Sequence, residues 1–260
     1  MIKHYIRLMK ELLITDLMIM KQKLPDTIFN TLIWSVSFTL AATYVLPFLG
    51  MARSYSSMVL IGSIVSCGIF EIFGNTSIMV ADITGEKTIS YQLTLPLPGW
   101  MLLATKAVAN AIHSAILTLF ILPVGKLIMG DKLVMSAIHP AKFALAFIIL
   151  HLFCGFFGLV MTAYTMRMDS IINVWVRLLF PLWFFGGSQF NWHTLYDISP
   201  ILAYLNLVNP LTYAFEAIKG ASLVGDVFLP FWVCIGMMFI ASGLFLYVGN
   251  RKLQQRLDYL

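Results

Sequence analysis

Residues 141–165 read AKFALAFIILHLFCGFFGLVMTAYT, and Lys142 is the one formally charged side chain in the run. A helix needs roughly 20 predominantly apolar residues to cross the bilayer's hydrocarbon core, which this stretch supplies. Such a helix is apolar all round, and in lipid its backbone polar groups are satisfied within the helix itself. Working outward, five further stretches are similar: about 28–50, 57–80, 100–128, 170–187 and 227–249. Arg177 and Pro181 interrupt the 170–187 run, the least regular of the six. The expected fold is an all-α integral membrane protein with six transmembrane helices.

Composition agrees. The chain has 260 residues, is 60% hydrophobic and 11% charged, and has a mean hydropathy of +0.87. Soluble domains carry roughly 25% charged residues, because their whole surface faces water. A soluble enzyme is therefore excluded, and the length suits a single transmembrane domain over 1–260. The net charge of +5 does not mark a nucleic-acid protein, since the basic residues are not gathered into a patch but sit at the ends of apolar runs. Cys67, Cys154 and Cys234 all lie inside apolar runs and suggest neither a disulfide framework nor a metal site.

Residues 1–24 read as an amphipathic helix at the membrane interface. Ile2, Ile6, Met9, Leu13, Leu17, Met20 and Leu24 form an apolar stripe, with Lys3, Arg7, Lys10 and Lys21 on the other side. These charges also leave no hydrophobic region for a cleavable signal peptide, and Pro25 is expected to end the helix. The six-span bundle then occupies 28–249, and 250–260 form a tail.

Basic residues set the expected orientation. With the N-terminus inside, Lys3, Arg7, Lys10, Lys21, Lys23, Lys87, Lys106, Arg167, Arg177, Arg251, Lys252 and Arg256 lie on the inner flanks. Arg53, Lys126, Lys132, Lys142 and Lys219 lie outside. Both termini are then cytoplasmic. The inner face is left with the first helix, the Ala81–Gly99 loop, the Met166–Ser170 loop and the tail. The outer segment from Gly186 to Asp226 is too apolar for a free loop and suits short helices dipping into the outer leaflet, where protein must cover them.

No G-x-x-x-x-G-K-[ST] phosphate loop, H-E-x-x-H or G-x-S-x-G occurs, and His4, His113, His139, His151 and His193 are scattered singly. Two stretches carry a family resemblance. One runs from Glu86 to Pro96 (EKTISYQLTLP), with Lys106 ten residues on; the other runs from Leu207 to Gly220 (LVNPLTYAFEAIKG). Together they resemble the membrane subunits of type-2 ABC exporters, bacterial proteins that move polysaccharides, lipids, drugs or peptides outward. The Asn209-Pro210-Leu211-Thr212-Tyr213 run, with Glu216 after it, is the more specific. Where the family often has Gly-Thr-Leu-Glu this chain has Lys87-Thr88-Ile89-Ser90, and Lys219 stands in place of a common arginine.

The resemblance implies a bacterial inner-membrane permease working with an ABC ATPase subunit, which holds ATP and Mg. The permease itself has no cofactor, and it pairs with a second copy or a homologous permease. The substrate is amphipathic, and membrane lipids surround the chain. It also implies a cytoplasmic coupling helix after the second span. There Asp82, Glu86, Lys87 and Thr88 would make polar contacts with the ATPase, and Tyr91 and Leu93 apolar ones.

Glu71 lies inside the second span, where an unpaired carboxylate costs about 2.5–3.5 kcal/mol. At 1.5 Å per residue it is about 14 Å from the inner end, against about 19 Å for His113 and about 10 Å for Arg177. Either is a candidate partner, and a structural clamp and a substrate contact are both open. Two other readings remain. An intramembrane enzyme would use Glu71, His113 and His151. An ion-driven carrier would want duplicated or broken helices, and the sequence shows no such duplication.

Overall fold

The computed structural model describes residues 2–52, 54–165, 167–225 and 228–258. Of the residues named above, the side chain of Ile2 and the whole of Arg53, Met166 and Asp226 lie outside the described residues. Every regular element among the described residues is a helix. α1 is Ile2–Lys21 and α2 Leu24–Leu40, and Pro25 sits in the first turn of α2, where its missing N–H costs nothing. That corrects the expectation that Pro25 closes the first helix: the chain turns at Gln22 and Lys23, and the proline opens the next helix.

Six helical stretches are long and apolar enough to span a membrane: Leu24–Leu49, Tyr55–Thr84, Gly99–Lys132, Pro140–Tyr164, Met168–Ser188 and Phe231–Leu257. Within them lie α3 (Tyr55–Thr84), α5 (Gly99–Leu119), α6 (Ile121–Met129) and α7 (Pro140–Tyr164). α8 (Ile171–Val174) and α9 (Phe180–Trp183) make up much of the fifth span, and α13 (Phe231–Asp258) is the sixth. α4 (Thr88–Gln92) lies between α3 and α5, and α10 (Trp192–Ile198), α11 (Pro200–Asn206) and α12 (Pro210–Ser222) between the fifth and sixth spans.

Prolines explain the irregular spans, because each removes one N–H from the helical ladder. Pro123 has none to return to Leu119, and the third span breaks there into α5 and α6. In the first and fifth spans the residue before proline donates five residues back instead of four. Leu46 N–H reaches Ala41, and Phe180 N–H reaches Trp175, giving wide π turns over Ala41–Val45 and Trp175–Leu179.

α7 is central, packed against α3, α5 and α13. Small residues permit the close approaches: a Cβ on Gly249 of α13 would lie 2.8 Å from the Leu159 Cβ of α7. The sixth span begins later than expected, because Leu229 and Pro230 lead into it and Pro230 accepts from Val233 and Cys234. It also continues straight through the expected tail. Leu253 is fully buried, so residues beyond 249 belong to the packed helix.

The apolar interior has two parts. A large cluster joins α3, α6, α7, α9, α12 and α13. A smaller one, at the end of the bundle holding α4, joins Met79 and Ile83 of α3, Ile89 of α4, Leu103 of α5, Leu159 of α7 and Leu253 of α13.

Candidate functional site

At the α4 end the loop is built from its charges upward. Asp82 lies in the last turn of α3, and its carboxylate accepts from the N–H groups of Thr88 (3.0 Å) and Ile89 (2.8 Å). Those are the first two amides of α4, which have no partner inside the helix. Asp82 is thus a brace holding α4 to α3. Lys87, with φ of 57°, takes the left-handed turn between the helices, a conformation that glycine adopts more cheaply. Ile89 is buried in the small cluster, and Leu93 is half-buried against Gly99. Of the two expected apolar anchors, then, Leu93 packs on its own chain. Tyr91 points outward, 74% exposed, beside exposed Glu86, Lys87 and Thr88.

α1 docks on the same corner through a contact that sequence reading missed. Lys106 Nζ of α5 lies 2.6 Å from Asp16 Oδ1 of α1, both largely buried. The covered face of α1 runs through Leu8, Met9, Leu12, Leu13, Asp16, Leu17 and Met20, which includes most of the expected stripe, whereas Ile6, assigned to the stripe, is exposed. The available signal was Asp16 itself, a carboxylate beside Leu13, Leu17 and Met20 on an otherwise apolar face.

The opposite end is closed by α10–α12. Asn209 caps α12 by accepting from Leu211 N–H (3.0 Å), and its Nδ2 donates to the Leu182 carbonyl (2.7 Å). Pro210 occupies the first turn, where no N–H is needed. Thr212 donates to the Asn206 carbonyl and Tyr213 to that of Leu207. Glu216, 1% exposed, accepts from Trp192 N–H (2.7 Å) and Leu229 N–H (2.8 Å). Lys219, fully buried, donates to the carbonyls of Gly187 (2.5 Å) and Phe190 (3.0 Å). Burial raises the Glu216 carboxyl pKa, against the two amides and Lys219, and lowers the Lys219 ammonium to about 8. The motif residues thus form a clasp, tying α12 to the end of the fifth span and the start of the sixth.

The sequence model of ABC-2 type transporters matches residues 17–223, which run from α1 through α12 and include both motif stretches. The chain belongs to the ABC-2 type transporter family. No curated protein matches it. As a member it is a multi-pass, membrane-embedded permease subunit, and its role is transport.

Within the permease's spans, Glu71 Oε1 lies 3.3 Å from His113 Nδ1, close enough for charge interaction but out of line for a hydrogen bond. Arg177, the other expected partner, is exposed on the wide turn of the fifth span. His151 is occupied elsewhere: Ser114 lies 3.0 Å from its Nδ1 and Thr118 2.9 Å from its Nε2. The crevice beside Glu71, lined also by Asn75, Asn110 and Ser114, holds about 10 Å³, space for about one water. Among the described residues no three metal-ligating side chains converge.

Proposed function

We propose that the chain is the permease of an ATP-driven exporter and forms the pathway for an amphipathic substrate by alternating access. It does so as a homodimer bound to two ABC ATPase subunits that hold ATP and Mg. It sits in a bacterial inner membrane with both termini and α4 cytoplasmic. The twelve-to-five distribution of basic residues supports that orientation. Three crevices inside the chain, beside Glu71, Trp34 and Phe73, each hold about 10 Å³. A lipid-like or glycan-bearing substrate needs far more room, which favours a pathway between two copies. The first and fifth spans suit such a face. Both keep most of their surface exposed, and Trp34, Phe70, Trp175 and Trp183 form an aromatic wall between them.

The observation that carries the reading is the form of α4. It is braced by Asp82, rooted by Ile89 in a cluster shared by α3, α5, α7 and α13, and turns Tyr91 outward. An ATPase gripping Tyr91, with Glu86, Lys87 and Thr88 around it, moves four spans together. Aromatic anchors of this kind often carry the energy of an interface. A chain lacking Cys67, Cys154 and Cys234 and carrying Tyr91→Cys should react with a membrane-impermeant maleimide only in inside-out vesicles. Bound ATPase subunit should slow that reaction. Labelling from the outer face would overturn the topology, and indifference to the ATPase would overturn the docking.

A further inference from the structure

Beside its packed side, and bordered by α5, α13 carries a groove of about 380 Å³, within the range of sites that hold small molecules. Gly243, Leu246, Tyr247, Asn250, Arg251 and Gln254 line it at alternating three- and one-residue steps, and Trp100 closes it from α5. Its floor is apolar at the Gly243 end, where a Cβ would meet nothing within 4 Å. At the other end it is polar and cationic, and among the described residues no acidic side chain lines it.

Depth in the membrane gives this gradient a meaning. Residues 231–250 are 20 without a charge, about 30 Å of helix, and Arg251 is the first ionised side chain after them. Arg251 therefore sits at the edge of the hydrocarbon, with Gly243 about 12 Å deeper. Trp100 and Tyr247, both well exposed, stand where aromatic rings favour the interface. The N-terminus of α5 also borders the polar end, for a Cβ on Gly99 would lie 3.4 Å from Gln254 Nε2; a helix start favours negative charge.

A second observation points to a ligand. Asn250 is 8% exposed and lines the groove, yet its Oδ1 accepts no hydrogen bond from any described residue. Buried amide oxygens are ordinarily paired. Among the described residues Arg251 has little else to do: its one hydrogen bond there, to the exposed Tyr247 hydroxyl, is long at 3.4 Å. We infer that this groove binds one anionic phospholipid of the leaflet at the α4 end. An acyl chain lies along Gly243 and Leu246, the phosphate meets Arg251, and a headgroup hydroxyl meets the amides of Asn250 and Gln254. Bilayer lipid is the occupant because the groove opens sideways from a spanning helix, at the depth where a phospholipid changes from chain to headgroup. Naming that leaflet cytoplasmic rests on the topology proposed above, whereas the site itself does not.

The test uses the full chain in vesicles whose lipid, in both leaflets, is phosphatidylglycerol or phosphatidylcholine brominated high in its acyl chains. The groove's signal is the tryptophan fluorescence lost on Trp100→Phe. Phosphatidylglycerol should quench it with about fivefold higher apparent affinity than phosphatidylcholine, as one basic residue near a membrane surface favours anionic lipid. Arg251→Ala should erase that preference and Arg251→Lys keep most of it. Gly243→Leu, which fills the floor without touching a charge, should weaken quenching by both lipids. Equal quenching by the two lipids in the wild type overturns the inference, as does a preference that survives Arg251→Ala. Vesicles labelled in both leaflets read the same whichever way the chain inserts, so a wrong topology leaves this result standing.

Discussion

At one end of the bundle Glu216 and Lys219 are sealed from solvent, and each is held by two backbone groups from neighbouring segments. At the other end Glu86, Lys87, Thr88 and Tyr91 stand exposed on a turn and helix whose root is buried at Ile89. Both ends use charge, but with different consequences. A buried charge survives only if its partners are fixed, so the clasp makes its end rigid. An exposed charge near water adds little stability and is free to meet another protein. The contrast separates an end that is fixed from an end that is gripped.

The sharpest way to break the comparison is at the clasp. Lys219→Met keeps the volume but leaves the carbonyls of Gly187 and Phe190 without their donor and removes the charge facing Glu216. The expected loss is about 2–5 kcal/mol, read as a lower unfolding midpoint and reduced yield in detergent. A stable variant would mean that the clasp is decorative.

The brace at the other end should matter less to stability and more to function. Asp82→Ala strips the first two amides of α4 of their acceptor and should cost about 1 kcal/mol, as a lost helix cap does. The chain should still insert, while transport per ATP hydrolysed should fall. A variant with unchanged coupling would show that α4 keeps its position without Asp82.

These two regions also show what sequence reading reaches and where it stops. The six spans were legible because hydrocarbon thickness demands long apolar runs, whereas Asn209-Pro210 was legible only as a family motif and its capping role came from the fold. Glu216 and Lys219 were visible as residues, but their partners at Gly187, Phe190, Trp192 and Leu229 are backbone atoms, whose roles no side-chain pattern encodes. Asp82 stood out as a charge in the inner loop, yet its role turned on the end of α3 at Thr84, since a residue of the last turn faces back over α4. The Asp16–Lys106 pair joins positions 90 residues apart, which helical periodicity does not reach. The straight run of α13 through residues 250–258 was obscured by charge, because Arg251, Lys252 and Arg256 suggest a free tail. In the fold Leu253 faces inward, and Arg256 donates to the carbonyls of Thr162 and Thr165.

The central claim is that α4 is the point where ATPase motion enters the spans, and Tyr91→Ala tests it most directly. At 74% exposed, Tyr91 holds little of the fold together, so the stability change should stay within about 0.5 kcal/mol. The measurement is transport and substrate-stimulated ATP hydrolysis in proteoliposomes containing the permease and its ATPase subunit, with assembly checked by copurification. The expected result is an inserted, folded permease whose hydrolysis no longer drives transport, at least about tenfold below wild type per ATP. Transport at wild-type rates by an assembled Tyr91→Ala complex would contradict the account and reduce α4 to a turn between two spans.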